Sequence, residues 1–323
     1  MARTPLIKKT ARKAPRSAAL AREPRDMVAF LRNLPEVLAG GLVGQDSATA
    51  TIVRALEQKL LCAVDSYRPR AALIFLGPHG VGKTHAVRNL ARAYTGTGAE
   101  PLFLNFAARE KTEIRPLLAQ LTAAVLETPR RVIHVVNIES AATDTVDYFV
   151  RLLDEGTLRD QTRALVSFRE CLFVFETNVG GDLIAHAGYP PSQLYKFAFE
   201  ALRDSLPLPL VRRADDLVLF HRLHSRHLHR IMEQFAVETG RNCLAGGVGF
   251  RVTEEATRWI IDRTDLSEGV PALRRNFEIY AGRPLAEWIL KSSLVSGHTL
   301  QLGLAEGGVG LKVEELEARV PVR

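Results

Sequence analysis

The residues with the clearest chemistry are a glycine-rich segment that ends in a lysine and a threonine. They fit the pattern G-x-x-x-x-G-K-[ST] between an apolar run and a helix-like segment. They are Gly77, Pro78, His79, Gly80, Val81, Gly82, Lys83 and Thr84. Glycines let successive backbone N–H groups converge on one point, where a helix N-terminus adds partial positive charge. The pattern predicts a phosphate-binding loop, with Lys83 on the β and γ phosphates of ATP and the Thr84 hydroxyl on Mg2+.

This loop needs a strand before it and a helix after it, and the chain around it alternates between both. Apolar runs predict strands at residues 72–76, 102–106, 132–138 and 171–175. Amphipathic segments between them, such as residues 84–94 and 145–153, predict helices. The alternation predicts an α/β fold, a three-layer sandwich with a mainly parallel sheet.

The pattern changes to helices after about residue 220. Helices are predicted at residues 225–239, 253–263 and 273–291, followed by a short strand pair near residues 300–304 and 310–313. We therefore expect a nucleotide-binding α/β domain at residues 27–220 and a small, mainly helical C-terminal domain at residues 221–323.

The excess positive charge lies in an N-terminal arm, residues 1–26. The formal net charge is +7, and residues 1–25 contain eight Lys or Arg against one Glu, so the rest of the chain is balanced. The arm is rich in Ala and Pro and has no apolar stripe, which predicts disorder. It is interpreted as a solvated segment, a contact for nucleic acid or another acidic surface, a docking segment for a protein, or an organelle-import signal.

The cysteines and the apolar runs bear on location. The three cysteines are far apart and lack the close pairs of a zinc or redox motif, which favours a reducing compartment. No apolar run approaches the ~20 residues that a membrane span needs. We expect a cytoplasmic protein without a membrane span, with import through the basic arm left open.

Short motifs on both sides of the loop resemble, in order and spacing, the AAA+ module of Clp-type unfoldases, especially their second ring, a group to which the torsins are related. They are Leu42-Val43-Gly44-Gln45-Asp46, Phe75-Leu76-Gly77-Pro78, Leu153-Asp154-Glu155-Gly156, Val166 to Arg169 and Thr177-Asn178. The resemblance covers roughly residues 40–305 and implies the AAA+ P-loop fold. It also implies that Leu42, Val43 and Gly44 cradle the adenine. His85, directly after the loop, is taken as a further nucleotide-binding residue.

Two more residues take roles from this resemblance. Asn178 would be the sensor-1 residue, which orients the attacking water against the γ-phosphate. Residues 210–215 resemble F-I-N-R-I-D, which makes Arg213 the arginine finger that reaches the site of a neighbouring subunit. The implied partner is a second copy or a related AAA+ subunit in a ring or arc. The alternative for Arg213 is a surface ion pair with Asp215 or Asp216.

The largest departure from the family lies at the end of the third predicted strand. Where the family has D-E-I-E-K-A, this chain has Val136-Asn137-Ile138-Glu139-Ser140-Ala141. Val136 replaces the acid that supports magnesium, and Asn137 replaces the Glu that polarises water. An amide accepts a hydrogen bond from water but cannot take its proton. Glu139 or Glu176 could supply a relocated acid, although each is displaced by about 7 Å along its strand from the nearby Asn.

Two other family features are altered. The sensor-2 arginine of the family's G-A-R-P-L segment falls at Pro271, which leaves Arg274 or Arg275 one turn away. Neither Tyr nor Trp occurs between Thr95 and Asp147, where the unfoldases carry an aromatic pore loop. Torsins also lack that aromatic loop but keep the acids that are missing here. These losses argue against a threading motor.

Three functions remain open on the sequence. The favoured one is a degenerate AAA+ protein that binds ATP, hydrolyses it slowly or not at all, and acts in nucleotide-dependent assembly or chaperone-type partner remodelling. The second is a working Clp-like or torsin-like chaperone ATPase with relocated catalytic residues. The third is a nucleic-acid-associated AAA+ factor that uses the basic arm.

Overall fold

The computed structural model describes most of the chain beyond the N-terminal arm. The described residues are 23–62, 67–96, 98–106, 114–185, 190–243, 249–291, 299–305, 307–308 and 310–316. Residues 1–22 of the predicted arm lie outside them, and its last four residues, 23–26, are helical. Within the described ranges, every helix is too short or too polar to cross a bilayer.

Helices and strands alternate through the first two thirds of the chain. In order they are α1 (Glu23–Gly41), α2 (Asp46–Cys62), β1 (Ala71–Leu76), α3 (Lys83–Thr95), β2 (Leu102–Asn105), α4 (Ile114–Glu127), β3 (Arg131–Val136), α5 (Thr143–Glu155), β4 (Thr157–Arg159), β5 (Leu165–Ser167), β6 (Cys171–Thr177), α6 (Gly181–Ala185), α7 (Pro191–Ser205), α8 (Leu208–Arg213) and β7 (Asp216–Leu219). The predicted strands are therefore present, with bounds that shift by one or two residues.

Five of these strands form one parallel sheet in the order β2-β3-β6-β1-β7. Because all five run the same way, their carboxyl ends meet at one edge, where ligands bind in open α/β sheets. Strand β6 lies between β3 and β1, so residues at its end face both the loop after β1 and the turn after β3. The hairpin β4–β5 stands apart from this sheet.

Each face of the sheet is covered by helices, which confirms the predicted three-layer α/β sandwich. Along β1, Leu73 and Phe75 pack with α1, α2 and α3, whereas Ile74 and Leu76 pack with α4, α5, α7 and α8. The period of two that distributes β1 side chains over both faces is that of an extended strand. Every residue of β1 is buried, as expected for a central parallel strand.

The turn after β3 departs from the prediction in a way that affects the site. The strand predicted at residues 132–138 ends at Val136, and a 3₁₀ turn follows at Ile138–Ser140. Between them Asn137 adopts a left-handed conformation, with φ 57° and ψ 43°. Asn tolerates this region better than most residues do. The side chain of Asn137 therefore does not follow the alternation of a strand, which the prediction for residues 132–138 assumed.

The remaining chain forms a smaller unit of helices and three strands. Its elements are α9 (Ser225–Cys243), β8 (Gly249–Val252), α10 (Glu254–Asp262), α11 (Val270–Phe277), α12 (Arg283–Lys291), β9 (Thr299–Leu304) and β10 (Leu311–Leu316). The predicted strand pair is β9–β10, and β8, which the sequence did not reveal, adds a third strand parallel to β9. The predicted helix 273–291 is α11 and α12 joined by a π-helical turn at Glu278–Gly282. These elements share an apolar core of their own, which supports the proposed boundary near residue 220.

Candidate nucleotide-binding site

The glycine-rich loop connects β1 to α3, as the motif requires. Helix α3 begins at Lys83, and Gly82 before it has φ 104°, a conformation that favours glycine. Gly80 needs its glycine for space, since a Cβ there would lie 2.8 Å from the Cα of Gly269. The backbone N–H of Val270 also donates to the Gly80 carbonyl at 3.0 Å. The smaller unit is thus packed directly against the loop.

Lys83 is buried inside the loop, with 3% of its surface exposed. Its ammonium donates to the carbonyls of Gly77 and Pro78, each at 2.7 Å, and to Oδ1 of Asn178 at 2.8 Å. Burial lowers the pKa of Lys83 to about 8, partly offset by the charges of Glu176 and Glu139. The negative charge of Glu176 and Glu139 compensates this ammonium only in part, and a bound triphosphate would supply more. The structure also brings Lys83 and Asn178 together, as the motifs imply.

Thr84 faces a carboxylate from the neighbouring strand. Its hydroxyl donates to Oε2 of Glu176 at 2.9 Å, with Oε1 at 3.2 Å. Burial acts to raise the pKa of Glu176, but the hydrogen bond and charge of His134, the charge of Lys83 and the Thr84 hydrogen bond outweigh it, so the pKa lies below its usual value. Glu176 is therefore ionised. The hydroxyl and the carboxylate form a set of hard oxygen donors that suits magnesium.

The turn after β3 presents the Asn137 amide at the position predicted to align with the family's catalytic acid. The Asn137 side chain donates to Oδ1 of Asn105 at 2.9 Å. Glu139, the next acid along the chain, accepts from the Thr177 hydroxyl at 2.9 Å. Val136, at the end of β3, is partly buried, and its side chain has no proton to exchange. The acid of this turn is therefore Glu139, and neither Val136 nor Asn137 supplies a carboxylate.

A cavity of about 780 Å³ opens between the loop and the smaller unit, within the size range of small-molecule sites. Five of the residues predicted to bind nucleotide line it. They are Leu42, Val43, Val81, Gly82 and His85. Charged side chains from α9 and α11 also line it. They are Arg230, Glu233, Glu238, Arg241 and Arg274. Three other loop residues, Pro78, His79 and Gly80, line a second cavity of about 470 Å³ together with Val81.

The segment before α2 joins the two parts of the molecule at this cavity. Leu42 packs in the core beside α1, α2 and α3, whereas Val43 packs in the core of the smaller unit. Gly44 lies against the ring of His227, and a Cβ there would be 2.4 Å from its Nδ1. Gln45 is buried and donates to the Val81 carbonyl at 3.1 Å. The motif around Gln45 predicts no role for this residue, and its position shows that it braces the loop.

Of the two arginines that follow Pro271 on α11, only Arg274 reaches the cavity. Arg274 lines the cavity, and its Nη2 donates to Oε2 of Glu238 at 2.6 Å. Its guanidinium carbon lies 4.6 Å from the centroid of the Phe235 ring. Arg275 instead pairs with Glu268 at 3.1 Å. Arg274 lies three residues after Pro271, one turn along the same face of α11. The pKa of His85 is lowered, first by burial and then by positive charges that include Arg274.

Arg213 is held within its own chain. Its guanidinium pairs with Asp154 and donates to the Pro209 carbonyl. The alternative partners considered on the sequence were wrong, because Asp215 pairs with Lys59 and Asp216 pairs with Arg54. Arg68 donates to the Arg213 carbonyl at 3.0 Å, which fixes the end of α8. About 29% of the Arg213 side chain is exposed, so it remains accessible at the surface.

The parallel sheet, the loop and the cavity beside it define a P-loop protein with the AAA+ fold. Residues 68–207 match the family model described as AAA domain (Cdc48 subfamily). The chain is 26% identical over 292 residues to the chaperone protein ClpB of Staphylococcus epidermidis, covering 85% of this chain and 34% of that protein. It is 28% identical over 307 residues to the chloroplastic chaperone protein ClpD of Arabidopsis thaliana, covering 86% and 32%. It is 29% identical over 299 residues to ClpB of Corynebacterium glutamicum, covering 88% and 34%.

These similarities support a Clp-type AAA+ module in this chain, with the AAA domain match at residues 68–207. It spans about a third of the length of these curated relatives. The family model covers the loop, β3 and β6, but ends before Arg213 and the smaller unit.

Proposed function

We propose that the module binds ATP with magnesium, hydrolyses it slowly or not at all, and uses the bound nucleotide to hold a shape competent for assembly or for remodelling a partner. Lys83 and Asn178 would contact the γ-phosphate end, and Leu42, Val43 and Gly44 the adenine. Thr84 would hold magnesium, which when bound neutralises charge on the β and γ phosphates. The Clp-type relatives are named chaperones, which supports the chaperone-type half of this proposal.

The observation that carries the proposal is the contrast between an intact phosphate loop and the turn after β3. The loop keeps a buried lysine and a threonine beside a carboxylate. The turn has Asn137 bonded to Asn105, and an amide cannot accept the proton of an attacking water. A missing general base typically slows a reaction by a factor of about 10² to 10⁴.

Neither nearby acid takes over the position of that base. The Glu139 carboxylate accepts a hydrogen bond from Thr177. The Glu176 carboxylate is hydrogen-bonded to Thr84 and His134, beside the residue that would hold magnesium rather than on the turn after β3. The second function, an active ATPase with a relocated base, therefore has less support than the first.

The proposal is tested by measuring nucleotide affinity and steady-state ATP hydrolysis on one preparation. We expect micromolar or tighter ATP binding together with turnover near the buffer background. Efficient turnover would overturn the degenerate assignment, and an absence of binding would overturn the nucleotide site itself.

Arg274 is expected to strengthen ATP binding from the opposite wall of the cavity. Its charge would reach the phosphates from one turn beyond Pro271, and a charge-assisted hydrogen bond contributes about 1.5–3 kcal/mol. Arg274 is half exposed and already paired with Glu238, so the lower end applies. We expect Arg274→Ala to weaken ATP binding about tenfold, as measured by calorimetry.

The matched control is Arg275→Ala, which removes the neighbouring arginine that pairs with Glu268. It should leave ATP affinity within about twofold of wild type. Equal effects of the two substitutions would mean that general surface charge, not Arg274, attracts the nucleotide.

We also propose that ATP favours assembly into a ring or arc, with a second copy or a related AAA+ subunit, through Arg213. The arginine is surface-accessible, and its partner Asp154 is itself 45% exposed. Exposed ion pairs contribute only about 0–1 kcal/mol to folding stability. The guanidinium could therefore exchange Asp154 for a triphosphate of a neighbouring subunit at small cost.

Sedimentation velocity tests this assembly. Wild type should form a larger species with ATP than without it, and Arg213→Ala should lose most of that ATP-dependent shift. Arg212→Ala, which removes the exposed neighbour on α8, is the control and should retain it. A monomer under all conditions, also with candidate partner subunits, would contradict the assembly proposal.

A further inference from the structure

The acid missing from β3 has a counterpart on the next strand. Val136 and Glu176 are register partners in the parallel pair β3–β6. Strand β6 lies one position closer to β1 and the phosphate loop than β3 does. A carboxylate moved from the end of β3 to β6 therefore approaches the loop from the same edge of the sheet.

Glu176 is the acid that makes this approach. It is 8% exposed, and its carboxylate accepts the Thr84 hydroxyl at 2.9 Å. A buried ionised carboxylate is costly unless charges and hydrogen bonds compensate it. Thr84, His134 and Lys83 supply that compensation. The chain thus keeps a negative charge beside the residue that the motif assigns to the metal.

His134 holds this carboxylate from the neighbouring strand. His134 is 0% exposed, and its Nε2 lies 2.8 Å from Oε2 of Glu176. Because an ionised carboxylate can only accept, the ring nitrogen is the donor. The rings of Phe103 and His134 pack edge to face, with their centroids 5.3 Å apart. Nδ1 of His134 has no hydrogen-bond partner among the described residues. Within the described part of the chain, the hydrogen bond of the His134 ring is therefore the one from Nε2 to Glu176.

We propose that Glu176 supports the magnesium ion of the bound nucleotide in place of the acid missing from β3, and that His134 is the positioning residue that directs its carboxylate to Thr84. This inference rests on the proposed ATP binding and deepens it. Magnesium prefers carboxylate and hydroxyl oxygens together with phosphate, and Thr84 and Glu176 provide that set within hydrogen-bond distance of each other.

This arrangement separates two functions that the family places on adjacent residues of one strand. Metal support lies on β6 at Glu176, whereas the base position after β3 is Asn137. The module can therefore hold ATP with magnesium without activating water. The separation explains how a chain can lose both family acids and still retain the nucleotide.

The test measures the gain in ATP affinity that magnesium provides. Binding of a fluorescent ATP analogue is titrated in EDTA and again in excess Mg2+, and Mn2+ binding to the protein–ATP complex is followed by electron paramagnetic resonance. Removing a carboxylate that supports a metal typically costs 10- to 100-fold in metal affinity. Glu176→Gln should lose Mn2+ affinity by about that factor, with analogue binding in EDTA unchanged.

Glu139→Gln is the matched control, since it removes the other acid near Lys83, which is bonded to Thr177. It should keep the magnesium-dependent gain. In the Glu176→Gln background, Val136→Asp should restore the gain by returning the carboxylate to the register partner on β3. This rescue also excludes misfolding as the cause of the loss.

His134 is tested in the same assay by two substitutions. His134→Leu should lower Mn2+ affinity about tenfold, as removal of a residue that orients a metal-supporting group does. His134→Gln retains an N–H donor of similar reach and should recover most of that loss. Equal losses in the two variants would refute the positioning role.

The outcomes separate this inference from the proposed function. If wild type binds no ATP, both fail. If wild type binds ATP and Glu176→Gln keeps the full magnesium gain, only the metal assignment fails. If Glu139→Gln loses the gain and Glu176→Gln does not, the supporting acid is Glu139 and the assignment to Glu176 is wrong.

Discussion

Lys83→Ala is expected to abolish ATP binding at concentrations where wild type is saturated. The ammonium is the buried point charge of the loop and now donates to Gly77, Pro78 and Asn178. On ATP binding it would exchange these contacts for phosphate oxygens. Each hydrogen bond to a charged group is worth about 1.5–3 kcal/mol, so loss of even two corresponds to a factor of at least about 100.

Isothermal titration calorimetry measures this loss directly. Lys196→Ala, which removes an exposed lysine on α7 beside Glu200, is the control and should bind like wild type. Thermal melting of both variants without nucleotide checks that the fold is kept. Equal affinity of wild type and Lys83→Ala would show that the nucleotide site has been misplaced.

The fold around the phosphate loop could be predicted because each element carries a strong local signal. The apolar run of β1, the glycine spacing and the amphipathic α3 are contiguous, so no distant contact was needed to recognise them. Strand β7 gave no such signal. It contains four residues, starts at Asp216 and becomes a strand through pairing with β1. Strand β8, also four residues long, depends in the same way on β9.

The site was harder to predict because it depends on strand order. The sequence placed Glu176 about 7 Å along its strand from Asn178 and on that ground gave it little reach. Distance along one strand was the wrong measure, because β6 lies beside β1 and brings Glu176 directly to Thr84. His134 gave one usable signal, a titratable residue inside an otherwise apolar run, since such residues are buried only with a partner.

The choice between Arg274 and Arg275 also needed the structure. Both follow Pro271 in sequence, and helical spacing alone leaves either within reach of a site on one side of α11. The packing of Gly269 against Gly80 fixes the rotation of the helix, which directs Arg274 to the cavity and Arg275 to Glu268.

The largest expected gain comes from returning the two family acids to the turn after β3. Val136→Asp with Asn137→Glu should raise steady-state ATP turnover by about 10²- to 10⁴-fold over wild type, the usual contribution of a general base. A left-handed backbone is less favourable for Glu than for Asn by about 1–2 kcal/mol, and the Asn105 contact is lost. These costs reduce stability, but they are smaller than the expected gain in transition-state stabilisation.

The single substitutions divide that gain. Because Glu176 already stands beside Thr84, Asn137→Glu alone should recover most of the turnover, whereas Val136→Asp alone should recover little, since magnesium without a base leaves the water unactivated. Asn137→Gln, which has the size of Glu without its charge, is the control and should stay at background.

Turnover is measured by phosphate release with the Lys83→Ala protein as the blank. Wild type that already turns over at about 1 s⁻¹ or faster, within the ordinary enzyme range, would contradict the degenerate assignment and make Glu139 or Glu176 the base.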